Sequence, residues 1–143
     1  GLKNLEIMIK KDEKENIGMG MIGDLEIEKT ETDFLDFLKD KMEISNLRHS
    51  NLLGNNIKRI GVLGGSGSFA IEEALNKNID CYVTADLKYH DFFKAEKGLL
   101  LVDAGHYETE QFTKRIIHEY LTKKIPNFAF TFSEENTNPV KYF

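Results

Sequence analysis

An α/β fold is predicted, with strands and helices alternating around a largely parallel or mixed sheet. Three observations predict it. Short apolar runs recur from residue 57 onward, separated by stretches with helical spacing. Those runs are apolar nearly throughout rather than alternating, the pattern of strands covered on both faces. The chain has 143 residues and a hydrophobic share of 41%, enough for one core but not two, so positions 1–143 read as a single domain.

In order along the chain, KKDEKE at 10–15 is a mixed charge run and reads as a solvated loop. NIGMGMIGDLEI, with Gly18, Gly20 and Gly23, reads as a turn or bulge leading into a strand. Thr32 suits the N-cap of a helix that carries Phe34, Leu35, Phe37, Leu38 and Met42 at helical spacing. IKRIGVL is a buried strand, followed by the glycine-rich turn GGSGS and a short helix over about 69–77. CYVT is the next strand, and ADLKYHDFFKAEKG a loop and helix closed by Gly98. LLLVDA is a third strand, and a long helix covers about 106–124. Pro126 ends that helical region, FAFTF reads as a last strand, and SEENTNPVKYF is a polar tail. Phe34, Phe37, Phe92, Phe93 and Phe112 read as core, and His49 and His118 as surface residues.

The net charge is −5, with acids and bases interspersed. No basic face suggests a nucleic-acid partner, and the mild acidity favours solubility. No apolar stretch is long enough to span a bilayer, and no signal-peptide pattern opens the chain, so no membrane partner is expected. Cys81 has no cysteine to pair with and opens an apolar run; it reads as a small buried hydrophobe, which suits a cytoplasmic protein. The opening GLKNLEIMIK lacks a starting Met, and the chain is expected to be part of a longer protein, although processing would look the same.

In open α/β sheets ligands bind beyond the C-terminal ends of the strands. Three segments occupy that position: GGSGS at 64–68, ADLKYHD at 85–91 and DAGHYETE at 103–110. The last two concentrate His, Asp and Glu, while the strands carry almost none. At 100° per residue, Glu108, Gln111, Arg115, His118 and Glu119 share one helix face, and Phe112, Ile116, Ile117, Tyr120 and Leu121 the other. His106 and Glu110 fall on the apolar side, one turn apart. An inward-facing imidazole and carboxylate at i and i+4 are within reach of one cation. A His–Glu hydrogen bond, or a His capping the turn, accounts for the same pattern. Asp86 is a substrate-site candidate, or a helix N-cap. His90 is a candidate acid or base, or a hydrogen-bonded surface group; Lys88 is a candidate anion-binding group, or solvated. In GGSGS, the backbone of Gly65, Ser66, Gly67 and Ser68 suits an anion or a plain tight turn, and it lacks the Walker lysine.

Together these residues resemble a known family. CYVTADLKYHDFFKAEKGLLLVDAGHYETE, the GGSGS turn, the NIGMGMIGDL segment and the late NTNP motif are similar, in order, to the NIF-three-like proteins, also called GTP cyclohydrolase I type 2 homologues. The resemblance runs from about Gly18 to Phe143. It implies an α/β fold, a ring-like homohexamer and a pair of divalent metals per full-length subunit. His106 and Glu110 match the family's ligand motif, and Asp86, Lys88, Tyr89 and His90 match a segment of the same cavity wall. The chain departs from the pattern where it has no His-His pair, Ala85 in place of a glycine and Met21 in place of an arginine. It is therefore expected to be the C-terminal half of the longer protein, with an incomplete metal site. Imidazole plus carboxylate suits zinc, iron, manganese or nickel. The implied function is metal-assisted hydrolysis of a nucleotide-like substrate, with His90 and Lys88 as catalytic candidates. A non-catalytic, metal-binding, oligomeric regulatory protein is the alternative, and a dinucleotide binder built on GGSGS is a third reading.

Overall fold

The computed structural model describes residues 1–12 and 16–142, with Lys97 through its backbone alone; residues 13–15 of the charge run lie outside the described residues. The chain divides into two compact units, 1–109 and 110–143.

The first unit contains strands β1 (Lys3–Lys10), β2 (Gly18–Thr30), β3 (Arg48–His49), β4 (Asn56–Ser66), β5 (Cys81–Ala85) and β6 (Leu100–Asp103). They form one six-stranded sheet in the order β1-β2-β4-β5-β6-β3. β4, β5 and β6 run parallel, with Ile60 beside Cys81 and Cys81 beside Leu100. β1, β2 and β3 add antiparallel pairs at the two sides, so the sheet is mixed.

β5 and β6 are buried at every position. Successive side chains point to opposite faces, so each strand feeds two cores. Cys81, Val83, Leu100 and Val102 pack with Phe34, Leu35 and Leu38 of helix α1 (Glu31–Met42). Tyr82 and Leu101 pack with Ile71 and Ala74 of helix α2 (Ile71–Asn76), and with Ala95 and Leu99. Each fully buried aliphatic side chain contributes about 1.5–3 kcal/mol of transfer free energy. Cys81 is fully buried, and its burial pushes the thiol well above its usual range.

Several elements differ from expectation. The opening residues form β1, an element with no helical or clean two-residue pattern in GLKNLEIMIK. In NIGMGMIGDLEI the strand begins at Gly18, so the three glycines lie within β2 rather than in a turn before it, and the ladder to β4 shifts register after Asp24; β1 lies close against it, and a Cβ at Gly18 would lie 2.1 Å from the Ile9 carbonyl oxygen. The α1 cap is Thr30, not Thr32; its hydroxyl accepts from the Asp33 N–H at 3.2 Å. Thr30 is still paired with Asn56 in the ladder, so strand passes into helix with no intervening loop. The short helix after β4 begins as a 3-10 turn at Ser68–Ala70, and a second 3-10 segment covers Tyr89–Lys97 up to Gly98. Phe93 is not core; it is 49% exposed.

The expected long helix is broken into α3 (His106–Glu110) and α4 (Thr113–Lys124). The second unit holds α4 and an irregular chain after it. FAFTF forms no strand, because among the described residues of this unit no second strand offers it a ladder. Its rings pack on His118 instead. That imidazole stacks on Phe132 at 4.1 Å between centroids, and its Nε2 lies 3.1 Å from the Phe130 carbonyl oxygen. His118 is therefore a partly buried packing residue rather than a surface one. The apolar side expected at Ile116, Ile117 and Tyr120 is exposed. Among the described residues no helix is long and apolar enough to cross a membrane.

Candidate functional site

β4, β5 and β6 are parallel neighbours, so the segments that follow them leave the sheet at one edge. The residue that ties this edge together is Asp103, the last of β6 and 5% exposed. A buried carboxylate is tolerated only with charge and hydrogen-bond partners. Asp103 has both. Its Oδ2 pairs with the Arg48 guanidinium, delivered by β3, and accepts from the Leu87 N–H at 3.0 Å. Its Oδ1 accepts from the Gly105 N–H at 3.1 Å. Arg48 also donates to the Leu87 carbonyl at 2.9 Å. One carboxylate thus fixes the backbone after β5 and the backbone after β6.

Asp86 immediately precedes one of those fixed points, Leu87, and His106 immediately follows the other, Gly105. Asp86 has a left-handed backbone (φ +57), a conformation Asp tolerates better than most residues. Its Oδ2 lies 2.6 Å from His106 Nδ1. Both side chains are about half exposed, so the pair adds little to stability. What it sets is orientation. Asp86 is not the cap of the following helix. That role falls to Lys88, whose N–H donates to Asp91 Oδ2 at 3.0 Å, and this hydrogen bond holds the Asp91 carboxyl below its usual range.

The expectation that His106 and Glu110 face inward is not met. α3 buries none of its residues. A face assignment over 106–124 assumes one continuous helix, and the break after Glu110 removes that premise. Glu110 is exposed and begins the second unit.

GGSGS is a packed turn. β4 runs through Ser66, and Gly65 turns at φ +67. Its polar backbone groups are taken up locally. Thr84 Oγ1 donates to the Gly65 carbonyl at 3.1 Å, the Tyr82 hydroxyl donates to the Gly67 carbonyl at 2.9 Å, and Gly65 N–H donates to Thr109 Oγ1 at 2.9 Å. Gly65 and Gly67 are buried, Ser66 is exposed and Ser68 lies between. Lys88, Tyr89 and His90 are exposed. The Tyr89 ring stands edge-on to His90 at 5.1 Å and to Phe93 at 5.2 Å, a small surface cluster of rings.

In kind, the donors fit a divalent cation: an imidazole whose Nδ1 is held by a carboxylate is the usual arrangement of a metal-binding histidine. In number they fall short. Among the described residues no group of three or more His, Cys, Asp or Glu is gathered. Sequence reasoning missed Arg48, Asp103 and Thr109. An acid closing the otherwise apolar run LLLVDA is a signal for Asp103. Arg48 carries none, since it meets its partner 55 positions away.

A model of the family described as Duf34/NIF3 (NGG1p interacting factor 3) matches residues 1–139. The GTP cyclohydrolase 1 type 2 homolog of Staphylococcus epidermidis is 30% identical over 138 residues, covering 94% of this chain and 38% of that protein. The protein of the same name from Bacillus subtilis is 34% identical over 134 residues, covering 87% and 35%. The crystal structure of Staphylococcus aureus protein SA1388 superposes with a TM-score of 0.78 at 29% identity, covering 90% of this chain and 43% of that one. The chain therefore spans well under half the length of the curated relatives it matches.

Proposed function

The chain belongs to the Duf34/NIF3 family, and from that premise we propose that it is part of a divalent-metal-dependent hydrolase acting on a nucleotide-like substrate. The observation that supports this most is the Asp86–His106 pair at the strand-end edge, 2.6 Å apart and accessible to solvent. His106 and Glu110 are the residues of this chain that would hold a cation, and zinc, iron, manganese and nickel all suit such donors. A bound cation lowers the pKa of a coordinated water and polarises an electrophile. The chain's own residues orient and bind. Asp86 holds the imidazole, and Asp103 with Arg48 holds the loop that carries Asp86. Lys88 is exposed and two positions from Asp86, where it meets an anionic group. His90 moves a proton, and Ser66 and Tyr89 are on the substrate side. The relatives' name, GTP cyclohydrolase 1 type 2 homolog, supports a purine nucleotide as substrate. The remaining ligands come from outside this chain, and the whole protein is a cytoplasmic homohexamer with two cations per subunit.

The test is elemental analysis of this chain beside the full-length protein carrying it, followed by turnover of a nucleotide panel. The expected result is near-stoichiometric metal in the full-length protein and little in this chain. His106→Ala and Glu110→Ala abolish turnover; activity surviving in both variants removes this site from the reaction.

A second reading is a metal-binding, oligomeric interaction protein without turnover. The exposed Ile116, Ile117 and Tyr120 of α4 favour it, as does the family's description as an interacting factor. Metal in the full-length protein with no turnover of any panel member supports this reading over the first.

A further inference from the structure

Single exposed apolar side chains are ordinary on a protein surface, whereas contiguous ones mark a place where something binds. Tyr89, His90 and Phe93 are contiguous and exposed, Tyr89 by 73% and Phe93 by 49%. We propose that these rings are a stacking surface for the base of a nucleoside phosphate, with Tyr89 as the principal contact and Lys88 as the partner of the phosphate. The inference rests on the nucleotide function proposed above and names the residues that select the base.

Three observations carry it. The first is that the core makes no use of these rings. The segment that bears them is fastened by other side chains: Leu87, Ala95 and Leu99 are buried, and Phe92 packs against the same cluster. The second is that the rings brace one another. Tyr89 stands 5.1 Å from His90 at 76° and 5.2 Å from Phe93 at 81°, while His90 and Phe93 lie 6.3 Å apart at 33°. All three pairs are in contact, so the cluster keeps its shape without a ligand, and a base that stacks on it immobilises few side-chain rotors. Stacking needs π faces, and the cluster is made of rings alone. The third is charge. Asp91, the acid of this turn, is already engaged: it accepts from the Lys88 N–H at 3.0 Å and lies 3.1 Å from Lys94 Nζ. Lys88, exposed and next to Tyr89, adds a positive charge beside the rings that suits a phosphate. The whole segment follows β5, at the strand-end edge where open α/β sheets take their ligands.

The experiment is calorimetric titration of the full-length protein carrying this chain, as isolated, with GTP and separately with inorganic triphosphate. Tyr89→Leu is expected to weaken GTP about 10-fold, within the range for one lost base–ring stack, and to leave triphosphate binding unchanged. Tyr89→Phe keeps the ring and binds GTP as the parent does. Lys88→Ala weakens both probes. A second readout is the proton spectrum of the nucleotide. In the parent and in Tyr89→Phe the purine ring proton of bound GTP moves upfield under the ring current, and in Tyr89→Leu it does not. Tyr89 lies on the surface, so an unchanged thermal midpoint checks that the variants fold. Equal GTP affinity in the parent and in Tyr89→Leu overturns the proposal while the nucleotide function stands. So does a Tyr89→Leu variant that binds GTP normally and changes the oligomeric mass, which makes the rings a protein contact. A parent that binds neither GTP nor any other nucleotide overturns the proposal together with the function on which it rests.

Discussion

An added Cβ at Gly67 would lie 2.1 Å from Thr84 Oγ1 and 2.6 Å from the Tyr82 hydroxyl. Neither atom is free to retreat, because Thr84 Oγ1 donates to the Gly65 carbonyl and Tyr82 to that of Gly67 itself. Gly67→Ala is expected to cost about 1–3 kcal/mol, the range for overpacking a dense interior. Urea unfolding monitored by far-UV dichroism measures it, and an unchanged midpoint would show that the turn adapts. The glycines of GGSGS were visible in the sequence, but the reason for one of them was not. A glycine needed for space and a glycine needed to admit a ligand look the same until the neighbours from β5 are in place.

Among the elements, the join between α1 and the loop before β4 depends on one buried side chain. Glu31, the first residue of α1 and 4% exposed, accepts from the Leu53 N–H at 3.0 Å and the Gly54 N–H at 2.9 Å. A carboxylate in the first turn also favours the helix dipole. Glu31→Ala removes the acceptor of two N–H groups on exposed residues and is expected to cost about 0.5–1.5 kcal/mol. It also speeds amide exchange at Leu53 and Gly54 ahead of the sheet; exchange that accelerates equally everywhere would mean that Glu31 supports only global stability. Periodicity located α1, α2 and the three parallel strands within a few residues, since those segments bury a defined face. It failed for β1 and for FAFTF. Whether an extended segment becomes a strand depends on a neighbouring edge that lies elsewhere in the chain. It failed too at the break between α3 and α4, where a run of good helical spacing continues across the turn at residues 111–112.

Across the first unit, stability in alkaline solution should report the central strand. Burial pushes the Tyr82 hydroxyl up from 10.0 to about 12. The folded state therefore holds this proton more tightly than the unfolded state. The stabilisation is fully present below pH 10 and is lost as pH rises toward 12, amounting to about 2 kcal/mol. Unfolding free energy measured between pH 9 and 12 should fall in that window, and Tyr82→Phe should flatten the fall while lowering stability at pH 9. A fall of equal depth in the variant would assign it to other groups. The alternation of apolar runs with helical spacings was enough to indicate an α/β sheet, largely parallel or mixed, with three strands from residue 57 onward and the edge where chemistry-bearing residues collect, because those properties follow from local periodicity and from the rule that parallel strands release their loops on one side; the antiparallel pairs that make the sheet mixed came from the tertiary structure. The pairing of Asp86 with His106, and the Asp103–Arg48 anchor behind it, came from packing alone. Those contacts join residues 20 and 55 positions apart, and no spacing along a chain encodes which of several acids a folded sheet will bring against which base.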